Sequence, residues 1–155
     1  MVIDDIDRRI LSALQVDARE SIERLGQRIG LSRNACWNRI RRLEDAGIIK
    51  ARVALLEPDK LNLGLSVFIS VRTSEHELEW LETFRKEVSQ LPEVLGVYRM
   101  SGDLDYLIRA RVPDVAAYDA LYQRLIRKVR LADVSASFVM QEIKETTALP
   151  VSYVN

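Results

Sequence analysis

The hydrophobic period of this chain changes part-way along it, and the change limits the fold more than any other feature. Before Pro58 the apolar residues recur at helical spacing, whereas beyond it short β-branched runs alternate with helical ones. Asp4, followed three residues later by Asp7, suits a helix start, with Ile6, Ile10 and Leu14 on one stripe and an end near Asp17. Ser21 caps a second helix whose Ile22, Leu25 and Ile29 share a face, and Gly30 stands where a left-handed C-terminal residue is wanted. Ser32 caps a third, in which Cys36, Ile40 and Leu43 form the buried stripe and Gly47 closes the helix.

The run IIKARVALLEP predicts a strand leading into a linker over residues 59–64. After it come SVFISVR as a strand, a helix over 75–91 stopped by Pro92, and EVLGVYRM as a strand. A Ser101-Gly102-Asp103 turn then leads to LDYLIRARV, a helix over 114–129 opened by Pro113, and a last strand, DVSASFVM. The order βαββαβ is the split arrangement of ferredoxin-like domains, an antiparallel four-stranded sheet backed by two helices. The expectation is an α+β chain: a helix-turn-helix domain of winged-helix-like type over residues 1–52, a strand and linker over 53–64, and a ferredoxin-like domain over 65–155.

At 155 residues with 48% hydrophobic and 30% charged side chains, the chain suits one ordinary domain or two small ones with a core of their own. A single cysteine permits neither an intrachain disulfide nor a cysteine zinc cluster, which points to a reducing compartment, the cytoplasm by default. The acidic opening MVIDDIDRRI has no apolar targeting core, and no apolar run approaches the roughly 18 residues of a membrane span. Net charge is zero, yet residues 1–52 hold 11 basic and 8 acidic side chains, and residues 33–52 hold six basic against two acidic. A local basic footprint on a neutral chain points to a nucleic-acid surface.

Helix two, the turn at Gly30-Leu31 and helix three fit the spacing of a helix-turn-helix, whose second helix enters the major groove by its N-terminus. Opposite Cys36, Ile40 and Leu43 lie Arg33, Asn34, Trp37, Asn38 and Arg41, groups suited to base edges and phosphates. Ser32, Arg42 and Lys50 complete the candidate double-stranded-DNA set. The competing reading is a solvated helix face with one stray tryptophan, and solvation alone gives no reason to expose an indole among arginines. Cys36 reads as a small buried core residue, since a sensor thiol would need exposure. His76, the only histidine, has no second histidine or cysteine with which to share a metal and reads as a surface residue; nucleophilic triads fail for the same want of partners.

Ser101-Gly102-Asp103-Leu104-Asp105 admits two readings. Gly and Asp are what a tight hairpin requires. They are equally what a small ligand needs, with glycine allowing close approach, amides taking a carboxylate and an aspartate taking an ammonium.

The blocks IDRRIL, LSRNACWNRIRRLEDAGII, GDLDYLIRARV and FVMQEIK, in that order and over nearly the whole chain, resemble the Lrp/AsnC family of feast/famine transcriptional regulators. The resemblance implies a helix-turn-helix joined to a ferredoxin-like ligand-sensing domain, a homodimer that assembles further, and response to a small amino acid. It implies an effector site at the hairpin, at Gly102, Asp103 and Asp105, completed from a neighbouring subunit. Ser135 and Ser137, alternating on one face of the last strand, are the candidates for that second side. The ACW triplet and the ending KETTALP resemble a proteobacterial subgroup associated with cysteine, which makes cysteine the first effector candidate. No other cofactor, no metal and no catalysis are implied. Two rivals stand beside this reading: a small ferredoxin-like enzyme with a helical extension, and a protein-interaction module whose basic helix docks an acidic partner.

Overall fold

The computed structural model describes residues 2–74 and 77–154; the surface role expected of His76 lies outside the described residues. The chain divides into two units, residues 1–55 together with 144–155, and residues 56–143. The boundary therefore differs from the sequence expectation at the C-terminus, where residues 144–155 group with the helical unit instead of the sheet unit. Val151 and Val154 pack against the helical core, which supplies the physical reason.

Three helices form the first unit: α1 (Asp5–Val16), α2 (Ile22–Ile29) and α3 (Arg33–Asp45). Each begins where a short polar side chain satisfies an orphan amide. The Asp4 carboxylate accepts from the Asp7 amide at 2.8 Å, the Asp7 carboxylate accepts from the Asp4 amide at 3.3 Å, and the Ser21 and Ser32 hydroxyls accept from Arg24 and Ala35. The Asp7 amide and the Arg39 guanidinium hold the Asp4 carboxyl below its ordinary value of 3.8. The cap is thus fully formed above that value and is lost as pH falls through the lowered one. Ile10, Leu25, Ile29, Cys36, Ile40 and Leu43 make the core as the stripes predict, joined by Ile3 and Leu11, while Ile6, Leu14 and Ile22 of the expected stripes are only partly buried at its edge.

Two features of this unit are not evident from the apolar pattern. Gly26 lies within α2, and a Cβ there would lie 2.9 Å from the Leu31 carbonyl oxygen and 3.5 Å from the Cys36 Cβ of α3, so only glycine allows the approach. Asp7 has no exposed surface, and its carboxylate accepts from Arg39 at 2.9 Å and Arg42 at 2.7 Å, both on α3.

The second unit opens with a 3₁₀ turn (Pro58–Leu61) and continues β1 (Leu65–Arg72), α4 (Leu78–Ser89), β2 (Val94–Arg99), β3 (Tyr106–Val112), α5 (Val115–Ile126) and β4 (Asp133–Phe138). The sheet is antiparallel in the order β2-β3-β1-β4, the ferredoxin-like order expected. Alternation puts Val67, Ile69 and Val71 of β1 and Tyr106, Ile108, Ala110 and Val112 of β3 on one face, against Trp80, Phe84 and Val88 of α4 and Leu121 and Leu125 of α5. Trp80 stacks on Phe84 with ring centroids 5.1 Å apart, Tyr106 packs tilted against both within 5.7 Å, and the Trp80 indole donates to the Arg130 carbonyl at 2.7 Å.

The strand expected over IIKARVALLEP does not form. Residues 50–57 take no regular structure, and Val53, Leu55 and Leu56 are 73%, 70% and 69% exposed. β-branched residues favour extension, but a strand also needs a partner, and these residues pair with none of β1 to β4.

Asp7→Ala leaves two arginines facing a carboxylate-sized void. We expect a loss of about 3 kcal/mol, at the low end for a broken buried pair because both guanidinia keep some access to water. Urea unfolding of the helical unit followed by far-ultraviolet dichroism measures it, and a loss within error of zero contradicts the assignment.

Candidate nucleic-acid interface and effector site

The buried stripe of α3 decides what its other side presents. With Cys36, Ile40 and Leu43 at 0%, 2% and 0% exposure, helical geometry turns Arg33, Asn34, Trp37, Asn38 and Arg41 outward, and all five are exposed. Among the described residues, Arg33, Asn34 and Asn38 make no side-chain hydrogen bond or ion pair. Arg41 lies over the Trp37 ring, its guanidinium carbon 5.3 Å from the centroid, and its Nε is 3.9 Å from Asp45. The stacking accounts for the 45% exposed indole, which a merely solvated face does not.

The remaining candidates are disposed differently. Ser32 caps α3, its hydroxyl occupied by the Ala35 amide. Arg42 turns toward the helical core and is engaged by Asp7, although half its side chain stays exposed. Lys50 lies beyond the helix in the irregular run. Arg39, whose spacing gives no hint of a partner, bridges Asp4 at 2.6 Å and Asp7 at 2.9 Å. Arg52 pairs with Glu44 at 2.7 Å, so the basic excess of residues 33–52 is partly neutralised within the unit.

At one end of the sheet the β2–β3 connection is built around Asp105. Its carbonyl accepts from the Met100 amide at 2.9 Å, its amide donates to Val71 at 3.1 Å, and its carboxylate accepts from the Thr73 amide at 2.8 Å. The Arg72 Nε donates to the Asp103 carbonyl at 2.9 Å, while Arg72 Nη1 stands 3.5 Å from Asp133. Arg72, Thr73 and Asp133 thus belong to this end of the sheet, although only their placement beside the turn reveals it. Gly102 has φ +104°, a conformation that L side chains avoid, yet a Cβ there would meet nothing within 4 Å. Backbone strain, and not contact within one subunit, is what demands glycine.

Ser135 and Ser137 are exposed on β4, opposite Ser70 and Phe68 of β1. β1 lies between β4 and the strand that follows Asp105, and two strand spacings amount to about 10 Å. One subunit therefore does not bring these serines against the hairpin. Among the described residues no group of three or more potential metal ligands occurs, and no helix is long and apolar enough to cross a membrane.

Comparison with known proteins matches both units. The model of the AsnC-type helix-turn-helix domain covers residues 3–44 and that of the Lrp/AsnC ligand binding domain covers residues 66–149. The chain belongs to the Lrp/AsnC family. It is 45% identical to the DNA-binding transcriptional activator DecR of Escherichia coli strain K12, over 97% of this chain and 99% of that one. An AsnC family transcriptional regulator from Agrobacterium tumefaciens superposes with a TM-score of 0.95 at 50% identity, covering 98% and 99% of the two chains. A transcriptional regulator of Neisseria meningitidis, solved as its complex with L-Met, superposes at 0.94 with 36% identity, covering 99% and 100%.

In this Lrp/AsnC chain the cysteine of the ACW triplet faces inward. Burial, and next the Glu20 charge, push the Cys36 thiol up from its ordinary 9.0, so the nucleophilic thiolate is suppressed. A disulfide reagent should therefore modify Cys36 only on unfolding. Stoichiometric reaction of the folded protein at neutral pH would restore the sensor-thiol reading.

Proposed function

We propose that this chain is a one-component bacterial transcription regulator of the cytoplasm and not a catalyst, with α3 reading the major groove and the sheet unit serving as amino-acid sensor and oligomerisation surface. One observation carries the reading: five exposed base- and phosphate-seeking side chains lie on the second helix of a helix-turn-helix, directly opposite a fully buried stripe. Arg33 and Arg41 suit guanine or phosphate, Asn34 and Asn38 suit adenine, and Trp37 suits sugar or a thymine methyl. Lys50 supplies phosphate attraction, and Arg42 acts through Asp7 by holding α3.

A dimer at least is part of the proposal, because one short helix covers too little DNA for regulatory affinity. The sheet supports it. Its helix-free face carries Phe68, Ser70, Ser135 and Ser137, and the unpaired run with Val53, Leu55 and Leu56 adds exposed apolar surface. We assign the effector to Gly102, Asp103 and Asp105 of one subunit, with Ser135 and Ser137 offered by a neighbour. The roughly 10 Å within one subunit supports a partner's serines over its own. Binding between subunits favours one arrangement of them by its differential affinity, which is how it would alter DNA binding. L-cysteine is the first effector to try, with L-methionine beside it because the Neisseria relative was solved with L-Met.

Selection of bound fragments from random duplex DNA should yield a preferred, near-palindromic site. Against that site Arg33→Ala should cost about 1 to 3 kcal/mol and relax preference at one position, whereas Lys50→Ala should weaken all sequences alike and lower the salt slope. Unchanged affinity in an Arg33, Asn38, Arg41 triple-alanine variant would sink the assignment.

Titration calorimetry with L-cysteine and L-methionine tests the sensor. Gly102→Val, strained by its positive φ, and Asp105→Asn, which keeps the acceptor for Thr73 but loses the charge, should each weaken binding about tenfold or more, the order of one lost charge-assisted bond. Wild-type affinity in both variants moves the pocket elsewhere.

A further inference from the structure

A cavity of about 230 Å³ opens at the end of the sheet remote from the β2–β3 turn. All of its lining belongs to the sheet unit, so its shape depends on that unit alone. Three segments build it: the 3₁₀ turn with the start of β1, the C-terminal end of β3, and the run that follows β4. Register sets Ser66 directly opposite Arg111 on the helix-free face, and the Val139 amide donates to the Ser66 carbonyl at 2.9 Å, which draws the third segment against the first. Arg111 stands six residues after Asp105 of the turn, about 20 Å away at the rise of a strand.

The lining is polarised. At its inner side Ser66 is 7% exposed, and among the described residues its hydroxyl makes no hydrogen bond. A hydroxyl taken from water and left unpaired is costly, so this one points to an occupant that pairs with it. Beside it the Arg111 side chain is 15% exposed; its Nη2 donates to the Glu142 carboxylate, which leaves the other guanidinium donors for a further acceptor. At the outer side Glu57 and Asp59 are exposed, and among the described residues neither carboxylate has an ion pair or a hydrogen bond. A Cβ on Gly64 would stand 3.0 Å from the Asp59 Oδ1, which places that carboxylate over the start of β1.

The pocket thus holds three carboxylates, Glu57, Asp59 and Glu142, against the one guanidinium of Arg111. They do not converge on a metal ion, since among the described residues no three potential ligands stand together. The occupant that fits is organic, anionic at its inner end and cationic at its outer one, with positive charge in excess.

We propose that this pocket binds an aliphatic diamino acid of the lysine or ornithine kind, its carboxylate inward against Arg111 and the Ser66 hydroxyl and its ammonium groups outward against Glu57 and Asp59. A neutral amino acid would satisfy the inner end and leave the carboxylate excess uncompensated. A plain diamine would meet the carboxylates and leave Arg111 and Ser66 without the acceptor they lack. The site is separate from the one at Gly102, Asp103 and Asp105, and neither assignment rests on the other.

Titration calorimetry of the full-length protein tests it, with L-lysine and L-ornithine as ligands, L-norleucine as lysine without its side-chain ammonium, and cadaverine as lysine without its carboxylate. At least one of the two diamino acids should bind, and norleucine and cadaverine should each bind about tenfold more weakly or worse, the order of one lost charge-assisted bond. Ser66→Ala and Asp59→Asn should each weaken the diamino acid by a similar factor and leave titrations with L-cysteine and L-methionine as in the wild type. Absence of binding by both diamino acids overturns the proposal. So does undiminished affinity for norleucine or for cadaverine, or wild-type affinity for the diamino acid in either variant. Binding lost in Asp105→Asn but kept in Ser66→Ala and Asp59→Asn places the ligand at the β2–β3 turn and overturns it as well.

Discussion

A carboxylate without exposed surface organises the helical unit. Asp7 closes the capping box of α1 from its first turn and at the same time receives Arg39 and Arg42 from α3, so one side chain sets both where α1 begins and how α3 lies across it. An isolated buried charge would be far too costly, and two guanidinia plus a backbone amide are what make it tolerable. A salt bridge so placed adds little net stability over an apolar contact, but it is demanding in direction. Apolar stripes alone allow helices to roll against each other; a carboxylate held by two arginines of one helix does not.

That constraint divides the basic residues of α3 by task. Arg39 and Arg42 face inward to Asp7 and Asp4, while Arg33 and Arg41 face out with Asn34, Trp37 and Asn38. Charge that would otherwise be one undirected basic patch becomes a half that holds the helices together and a half that faces outward. In the sheet unit, alternation does the corresponding work, filling one face with the helices and leaving Phe68, Ser70, Ser135 and Ser137 on the other.

The short-range features were legible because each has a local cause. The three helices, their caps at Asp4, Ser21 and Ser32, and the βαββαβ order follow from polar side chains beside orphan amides and from apolar periods of 3.6 and 2. The exposed face of α3 followed as the complement of its buried stripe. What failed depended on partners distant in sequence. The strand expected before Pro58 has the right composition, yet composition supplies no edge to pair with. Arg42 looked like its neighbours until Asp7, 35 residues away, was placed against it. Residues 144–155 carried no periodicity to reveal that Gln15 and Arg8 hold them.

By itself, then, the sequence determined the three helices, the βαββαβ order, the face each helix buries and the residue types on the outer face of α3, because these depend on spacings of a few residues that the backbone converts directly into direction. Only the tertiary structure decided which arginines are free, why Gly102 must be glycine, that Ser135 and Ser137 stand two strands from the hairpin, and which unit owns the C-terminal residues. Those outcomes turn on contacts between segments tens of residues apart, and no local pattern encodes a partner that only folding brings near.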